Sequence, residues 1–521
     1  MTPGHRPYAA AAAALALLSA PAAEATNILL VVLDDLGRDK LSSYADIYDG
    51  STPPVYLAET PVLDELISSG LRFTDVMANP SCSPSRASIH TGKAPHEHFV
   101  GWTSEDAPEL ALTEVTLGDT LGGPLGYQTA YLGKWGMGRT ATPGFSPLVP
   151  GYQDADTNAV EQGYARYVGI SDTGDIDYRD WTRASWPEFS AGRFQTYVEE
   201  RTDYVTEDNF VDVYTYITGA STRRDWFVFF GPLTPHTDPG GDSRSGWEED
   251  DLPDGVTCPG CNQYELYQSL VESFDTRLGQ LLDELYVTDP ALLEDTLIVV
   301  TADNGTPREI LEGDFPYSSG TDRTNAGKGT VYESGIRVPL VIADGCLWVR
   351  SQPDSTSTCT PTISSPGRDV DVPASLTDLY PTLVRVGGGT PTTTWGMSLL
   401  SCFTSTAADC GVRGFATRTR LSEFFVRPDP LVTTGDALRG ELALRRGNYK
   451  LIARQRTLGG SLCLEHEFYD LSTDPFEVDD LYVLPGRVSS GQSAYNTLYS
   501  SLRALPNSTN TGWIPTARCG G

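Results

Sequence analysis

Asn27-Ile28-Leu29-Leu30-Val31-Val32-Leu33 runs without interruption into Asp34-Asp35. A short, unbroken aliphatic run of this kind reads as a strand buried on both faces, as in a parallel sheet. Two carboxylates at its carboxyl end do not belong to a core. The pattern recurs three times: Gln128 to Leu132 leads into Gly133-Lys134-Trp135, Trp226 to Phe230 into Pro235-His236, and Thr296 to Thr301 into Asp303-Asn304. Helical periodicity marks Pro61 to Ser69 and Tyr264 to Tyr286, so strands and helices alternate as in an open α/β sheet. In that architecture the carboxyl ends of the strands converge on one edge, where ligands bind. Residues far apart in the chain thereby share one site.

The chain has 521 residues, with 37 basic against 69 acidic side chains and a formal net charge of −32. That balance argues against a nucleic-acid partner, which would call for a basic stripe. With 39% hydrophobic and 10% aromatic residues the composition is globular rather than disordered. Its length allows one large α/β domain and a smaller companion. The N-terminus reads as an export signal: His5 and Arg6 precede an apolar run from Ala9 to Leu18, followed by small residues up to Ala23-Glu24-Ala25. Residues 1–25 are therefore expected to be removed, leaving a secreted or periplasmic body. No later stretch approaches the roughly 20 apolar residues of a membrane span, so no stable membrane insertion is expected. A composition rich in Ser, Thr and Pro follows Pro353, a helical signal covers Pro373 to Val386, and short strands follow Gly388. The expected division is 26–387 for the catalytic α/β domain and 388–521 for a smaller α+β domain.

Nine cysteines fit export but leave a remainder. The last eight, Cys258, Cys261, Cys346, Cys359, Cys402, Cys410, Cys463 and Cys519, predict four local disulfides, with Cys258 and Cys261 forming a tight bridge rather than half of a zinc site. Cys82 is left over. It stands in Ser81-Cys82-Ser83-Pro84-Ser85-Arg86-Ala87-Ser88, at the start of an expected helix whose first amides favour an anion. It reads either as a nucleophile beside Arg86 or as a buried free thiol.

Asp34, Asp35, Asp303 and Asn304 form an all-oxygen set suited to a hard divalent cation, calcium or magnesium. Taken singly, Asp34-Asp35 and Asn304-Gly305 also read as turns; the joint pattern favours the metal. Only five of the 37 basic residues are lysines: Lys40, Lys93, Lys134, Lys328 and Lys450. In a chain that otherwise uses arginine, Lys134 after a strand and Lys328 between two glycines read as compact ammonium groups facing an anionic oxygen.

These residues resemble the type I, formylglycine-dependent sulfatases of the alkaline phosphatase superfamily. The Cys-x-Pro-Ser-Arg signature appears as Cys82 to Arg86 and continues in Thr91-Gly92-Lys93-Ala94-Pro95-His96. The other matches, in family order, are Asp34-Asp35-Leu36-Gly37, Gly126-Tyr127-Gln128-Thr129 with Gly133-Lys134-Trp135, Pro235-His236, Asp303-Asn304-Gly305, Lys328, Glu333 to Pro339, Asp378 to Leu383 and Phe468 to Leu471 with Asp474-Pro475. The resemblance implies a large, mostly parallel sheet sandwiched by helices. It implies that a maturation enzyme converts Cys82 to formylglycine, whose hydrated aldehyde attacks the sulfur of a sulfate ester. Calcium, rather than magnesium, would lie among Asp34, Asp35, Cys82, Asp303 and Asn304. Lys134, His236 and Lys328 would neutralise the sulfuryl oxygens, His236 would also serve as proton donor to the leaving alcohol, and Arg86 would hold the modified side chain. Many family members carry histidine where this chain has Gly136, so the base for sulfate elimination is open, with His96 and His98 as weak candidates. A phosphodiesterase or phosphonate monoester hydrolase, and a non-catalytic sulfated-glycan binder, are the competing readings.

Overall fold

The computed structural model describes residues 27–505 apart from 49, 51–52, 103–109, 138–157, 171–177, 191–192, 220–224, 237–246, 313–325, 393, 426–439, 459–460 and 485–486. The expected signal segment and Cys519 lie outside the described residues.

The aliphatic runs are strands. Ten of them form the main sheet: β1 (Asn27–Leu33), β2 (Gly70–Phe73), β3 (Gln128–Gly133), β4 (Arg166–Ile170), β5 (Trp181–Ser190), β6 (Arg193–Arg201), β7 (Trp226–Gly231), β8 (Thr296–Ala302), β9 (Leu340–Asp344) and β10 (Arg368–Val370). Their spatial order is β10-β2-β9-β8-β1-β7-β3-β4-β5-β6. The five strands from β8 to β4 run parallel, while β9 and the β5–β6 hairpin are antiparallel to their neighbours. Ile28 to Val32 are fully buried, consistent with a central strand covered on both faces. At about 1.5–3 kcal/mol for each buried aliphatic side chain, that burial fixes which strand sits in the middle.

Helices cover the sheet: α1 (Pro61–Ser68), α2 (Cys82–Thr91), α3 (Val205–Gly219), α4 (Gln263–Thr288) and α5 (Leu379–Val386). The α1 and α4 boundaries fall within two residues of the sequence expectation. The signal starting at Pro373 yields a helix only from Leu379, because Asp378 Oδ2 accepts from the Ser375 amide at 2.8 Å and shapes the preceding residues into a capped turn.

The smaller unit is an antiparallel sheet of β11 (Arg420–Phe425), β12 (Gly440–Arg446), β13 (Tyr449–Leu458) and β14 (Ser461–Asp470), with α6 (Gln492–Ala504) packed on it. It has its own core, including Leu442, Leu451, Phe468, Tyr495 and Leu498. Cys258–Cys261, Cys346–Cys359 and Cys402–Cys410 are disulfides, and Cys463 is also bridged. Cys82 is free and buried.

Candidate active site

Register puts the polar strand ends side by side. Leu33 pairs with Ala302 and Gly133 with Gly231, so the residues that follow β1, β8, β3 and β7 emerge on one edge. The first turn of α2 points into the same place. Cys82 Sγ lies 3.0 Å from Asp34 Oδ1, 3.3 Å from Asn304 Oδ1, 3.8 Å from Asp35 Oδ1 and 4.0 Å from Lys134 Nζ. Asp34, Asp35, Cys82 and His236 present ligand atoms within 4.8 Å of one another.

The cations are interleaved with the carboxylates. Lys134 Nζ pairs with Asp34 Oδ2, and Lys328 Nζ donates to Asp35 Oδ2 at 2.7 Å. His236 Nε2 is 3.7 Å from that same oxygen. Arg86 donates from Nε to Asp303 Oδ2 at 2.9 Å, from Nη1 to the Lys134 carbonyl at 2.8 Å, and lies 3.6 Å from Asp34 Oδ2 through Nη2. Asn304 Nδ2 donates to Asp35 Oδ1 at 2.9 Å, which leaves Oδ1 facing the thiol. All nine residues singled out in the sequence thus stand together. Lys328 and His236 are the partly exposed members, so they mark the mouth of the site.

Electrostatics follow from burial and spacing. Burial pushes the Asp303 carboxyl up to about 7, assisted by Asp34 and opposed by Arg86. Burial acts in the same direction on Asp34, but Lys134, His236, Arg86 and Lys328 outweigh it and hold that carboxyl well below the usual range. Burial, then Asp303 and Asp34, raise the Cys82 thiol well above its ordinary value. The unmodified side chain is a protonated thiol and a poor nucleophile. Burial, with Lys134 and Lys328 nearby, lowers His236 to about 4, leaving the imidazole neutral at physiological pH. Asp34, Asp35, Asp303 and Asn304 are all buried at these strand ends and offer oxygen donors of the kind a hard divalent cation takes, with Asp34, Asp35 and Asn304 converging on Cys82 and Asp303 held by Arg86 and the Asp35 amide.

Three supporting groups were not evident in the sequence. Tyr131 Oη accepts from Arg86 Nη1 at 3.2 Å, the Ser83 hydroxyl donates to the Gly136 carbonyl, and Tyr267 Oη donates to the Asp35 carbonyl at 2.8 Å. Tyr131, on the strand that leads into Lys134 and three residues before it, carried the only legible signal. Gly136 adopts φ +68°, and a Cβ there would stand 3.4 Å from Arg86 Cδ, beside the site. Of the two neighbouring histidines, His96 pairs through Nδ1 with Glu423 at 2.7 Å, and His98 uses both ring nitrogens on Ser88 and the Val100 amide.

The Sulfatase family model matches residues 26–389. The chain belongs to the sulfatase family. Its similarity to bovine arylsulfatase A is 30% identity over 464 residues, covering 85% of this chain and 76% of the bovine protein. Human arylsulfatase A is 29% identical, covering 90% and 84%. Among sulfatase-fold structures, one from work on glycosaminoglycan metabolism by Bacteroides thetaiotaomicron aligns with a TM-score of 0.67 at 16% identity, covering 91% of this chain and 95% of that one. The phosphonate monoester hydrolase of Agrobacterium radiobacter aligns at 0.57 with 18% identity, covering 92% and 95%. The family consists of sulfuric ester hydrolases, and this member keeps the fold across nearly its whole length.

Proposed function

We propose that this protein is an exported sulfatase that hydrolyses an organic sulfate monoester, aryl or carbohydrate, through a formylglycine made from Cys82 and with a bound calcium ion. The observation that carries the reading is the position of Cys82: the one free cysteine among the described residues is buried at a helix start, within 4 Å of Asp34, Asp35, Asn304 and Lys134.

Asp34, Asp35, Asp303 and Asn304 would hold the cation, which supplies positive charge for the sulfate oxygens and for an ionised nucleophile. Formylglycine at position 82 would supply a hydrated aldehyde as nucleophile and a route for sulfate to leave by elimination. The chain's own residues do the rest. Lys134 and Lys328 flank the nucleophile position with ammonium groups, so a sulfate there meets fixed positive charge with no reorganisation. His236, neutral and at the mouth, presents an N–H toward the ester oxygen of the leaving group. Arg86, fully buried and tied to Asp303 and the Lys134 carbonyl, fixes α2 against β3. The expected export signal and the disulfides support a location outside the cytoplasm. Among the described residues no helix is long and apolar enough to cross a membrane.

Sulfate release from 4-nitrophenyl sulfate and from sulfated saccharides, set beside phosphate and phosphonate esters, tests the assignment. Preferential turnover of a sulfate ester is expected. Faster turnover of phosphonate or phosphate diesters would transfer the site to the other chemistry of this fold.

A further inference from the structure

Lys450 is one of only five lysines, and it lies outside the site just described. It is on β13 in the smaller domain, yet it is fully buried. Its Nζ bridges two carboxylates, Glu333 Oε1 at 2.9 Å and Glu477 Oε1 at 2.7 Å. Glu333 belongs to the main domain. Arg445, from β12, grips its other oxygen at 2.8 Å, and Glu477 Oε2 accepts from the Glu333 amide at 2.6 Å. Burial alone would raise the Glu333 carboxyl, but Lys450, Arg445 and Arg337 outweigh it and keep it ionised. A buried charge held this way is worth little as net stability and much as a fixed position.

The segment fixed in this way carries both active-site loops. The Ser334 carbonyl accepts from the Thr306 amide at 3.0 Å, and the Gly335 carbonyl from the Gly305 amide at 2.9 Å, which ties down the turn after Asn304. Ser334 Oγ accepts from the Gly327 amide at 2.9 Å, and Lys328 donates its own amide to the Thr306 carbonyl at 2.9 Å. Asn304 and Lys328 are therefore hung from the residues immediately following Glu333.

We propose that Lys450 is a positioning residue: through Glu333 and Glu477 the smaller domain holds the Glu333–Gly335 segment in the place that aligns Asn304 and Lys328. A lysine suits the role because one compact ammonium, with all its donors on a single atom, can satisfy two carboxylates in a space closed to water. The kinetic part of this inference rests on the sulfatase reading.

Lys450→Met is the direct test, with Lys450→Met/Glu477→Gln as a second variant that leaves no unpaired buried carboxylate at Glu477 if the single change fails to fold. Arg72→Met, which removes the ion pairs that this β2 residue makes with the exposed carboxylates of Asp46 and Asp369 away from the site, controls for general destabilisation. Deuterium exchange of peptides covering 304–306 and 327–335 should rise in a Lys450 variant and stay at wild-type level in Arg72→Met. In the same proteins kcat should fall by about tenfold to a hundredfold, as expected for groups displaced by about 1 Å, with Arg72→Met within about twofold of wild type. Unchanged exchange in those peptides, or the same change in Arg72→Met, overturns the proposal. If the wild-type protein releases no sulfate, the sulfatase reading fails on its own, and exchange alone decides the role of Lys450.

Discussion

Asp303 is the residue whose state should report on the cation. Its carboxyl is pushed up to about 7 by burial and by Asp34, so near neutral pH the metal-free site holds a proton there part of the time. A cation must displace that proton. Calcium affinity of chelator-stripped protein should therefore rise with pH between about 6 and 8, by up to roughly tenfold per unit, with proton release seen when titrations in buffers of different ionisation enthalpy are compared. Affinity flat across that range would contradict the assignment of Asp303 as a ligand. Lys134 and His236 predict different losses. Lys134→Met removes fixed charge beside the nucleophile and should lower kcat by about 10²–10³-fold. His236→Gln removes the hydrogen bond that the neutral imidazole N–H gives the leaving oxygen and should cost about 10²–10⁴-fold, least for esters with acidic leaving groups such as 4-nitrophenol. Equal losses across leaving groups would argue against a hydrogen bond from His236 to the leaving oxygen.

At the scale of elements, α2 is unusual in having all ten residues buried, so each polar side chain on it needs an account. His90 stacks on Phe229 at 4.7 Å between ring centroids, with Tyr164 Oη 3.3 Å from its Nδ1. Burial, with Arg86 one turn away, lowers it to about 3. The folded protein thus keeps this imidazole neutral while the unfolded chain protonates it below about 6.5. Stability is lost as pH falls from about 6.5 toward 3, by up to about 1.4 kcal/mol per unit. His90→Phe should flatten that limb of the stability–pH curve at the cost of a pH-independent loss, since Tyr164 loses its partner; thermal melts at pH 5 and 8 check both. The β3–β7 pair predicts a harsher result. Gly133 has φ +103°, and a Cβ there would sit 2.1 Å from the Gly231 carbonyl oxygen. Gly133→Ala should destabilise by more than about 3 kcal/mol and displace Lys134, seen as loss of soluble protein or of activity.

The elements nearest the site were the ones most legible in the sequence. Asn27–Leu33 and Thr296–Ala302 are buried on both faces, so an unbroken aliphatic run can mean little else, and the acids after them cannot belong to the core. The β5–β6 hairpin was not foreseen, because Trp181–Ser190 mixes Arg, Pro and Glu with aromatics and lacks a clear period. Likewise the turn before α5 depends on Asp378 reaching back to Ser375, a contact that apolar periodicity does not encode.

Over the whole molecule, what escaped the sequence is the coupling between the two domains. Arg445 and Lys450 lie 112 and 117 positions from Glu333, and no local pattern announces that they meet it. The active site, by contrast, gathers residues from Asp34 to Lys328 that parallel strands are bound to bring to one edge, which is why it could be assembled from strand ends alone. A mass spectrum of the tryptic peptide Phe73 to Arg86, taken after thiol alkylation of protein from its native host, reads the chemistry of residue 82 directly. Replacement of the sulfur by a carbonyl oxygen is expected, with no alkylated form dominating. A peptide alkylated at Cys82 throughout would contradict it and leave this chain a binder of sulfated ligands rather than a formylglycine-dependent hydrolase.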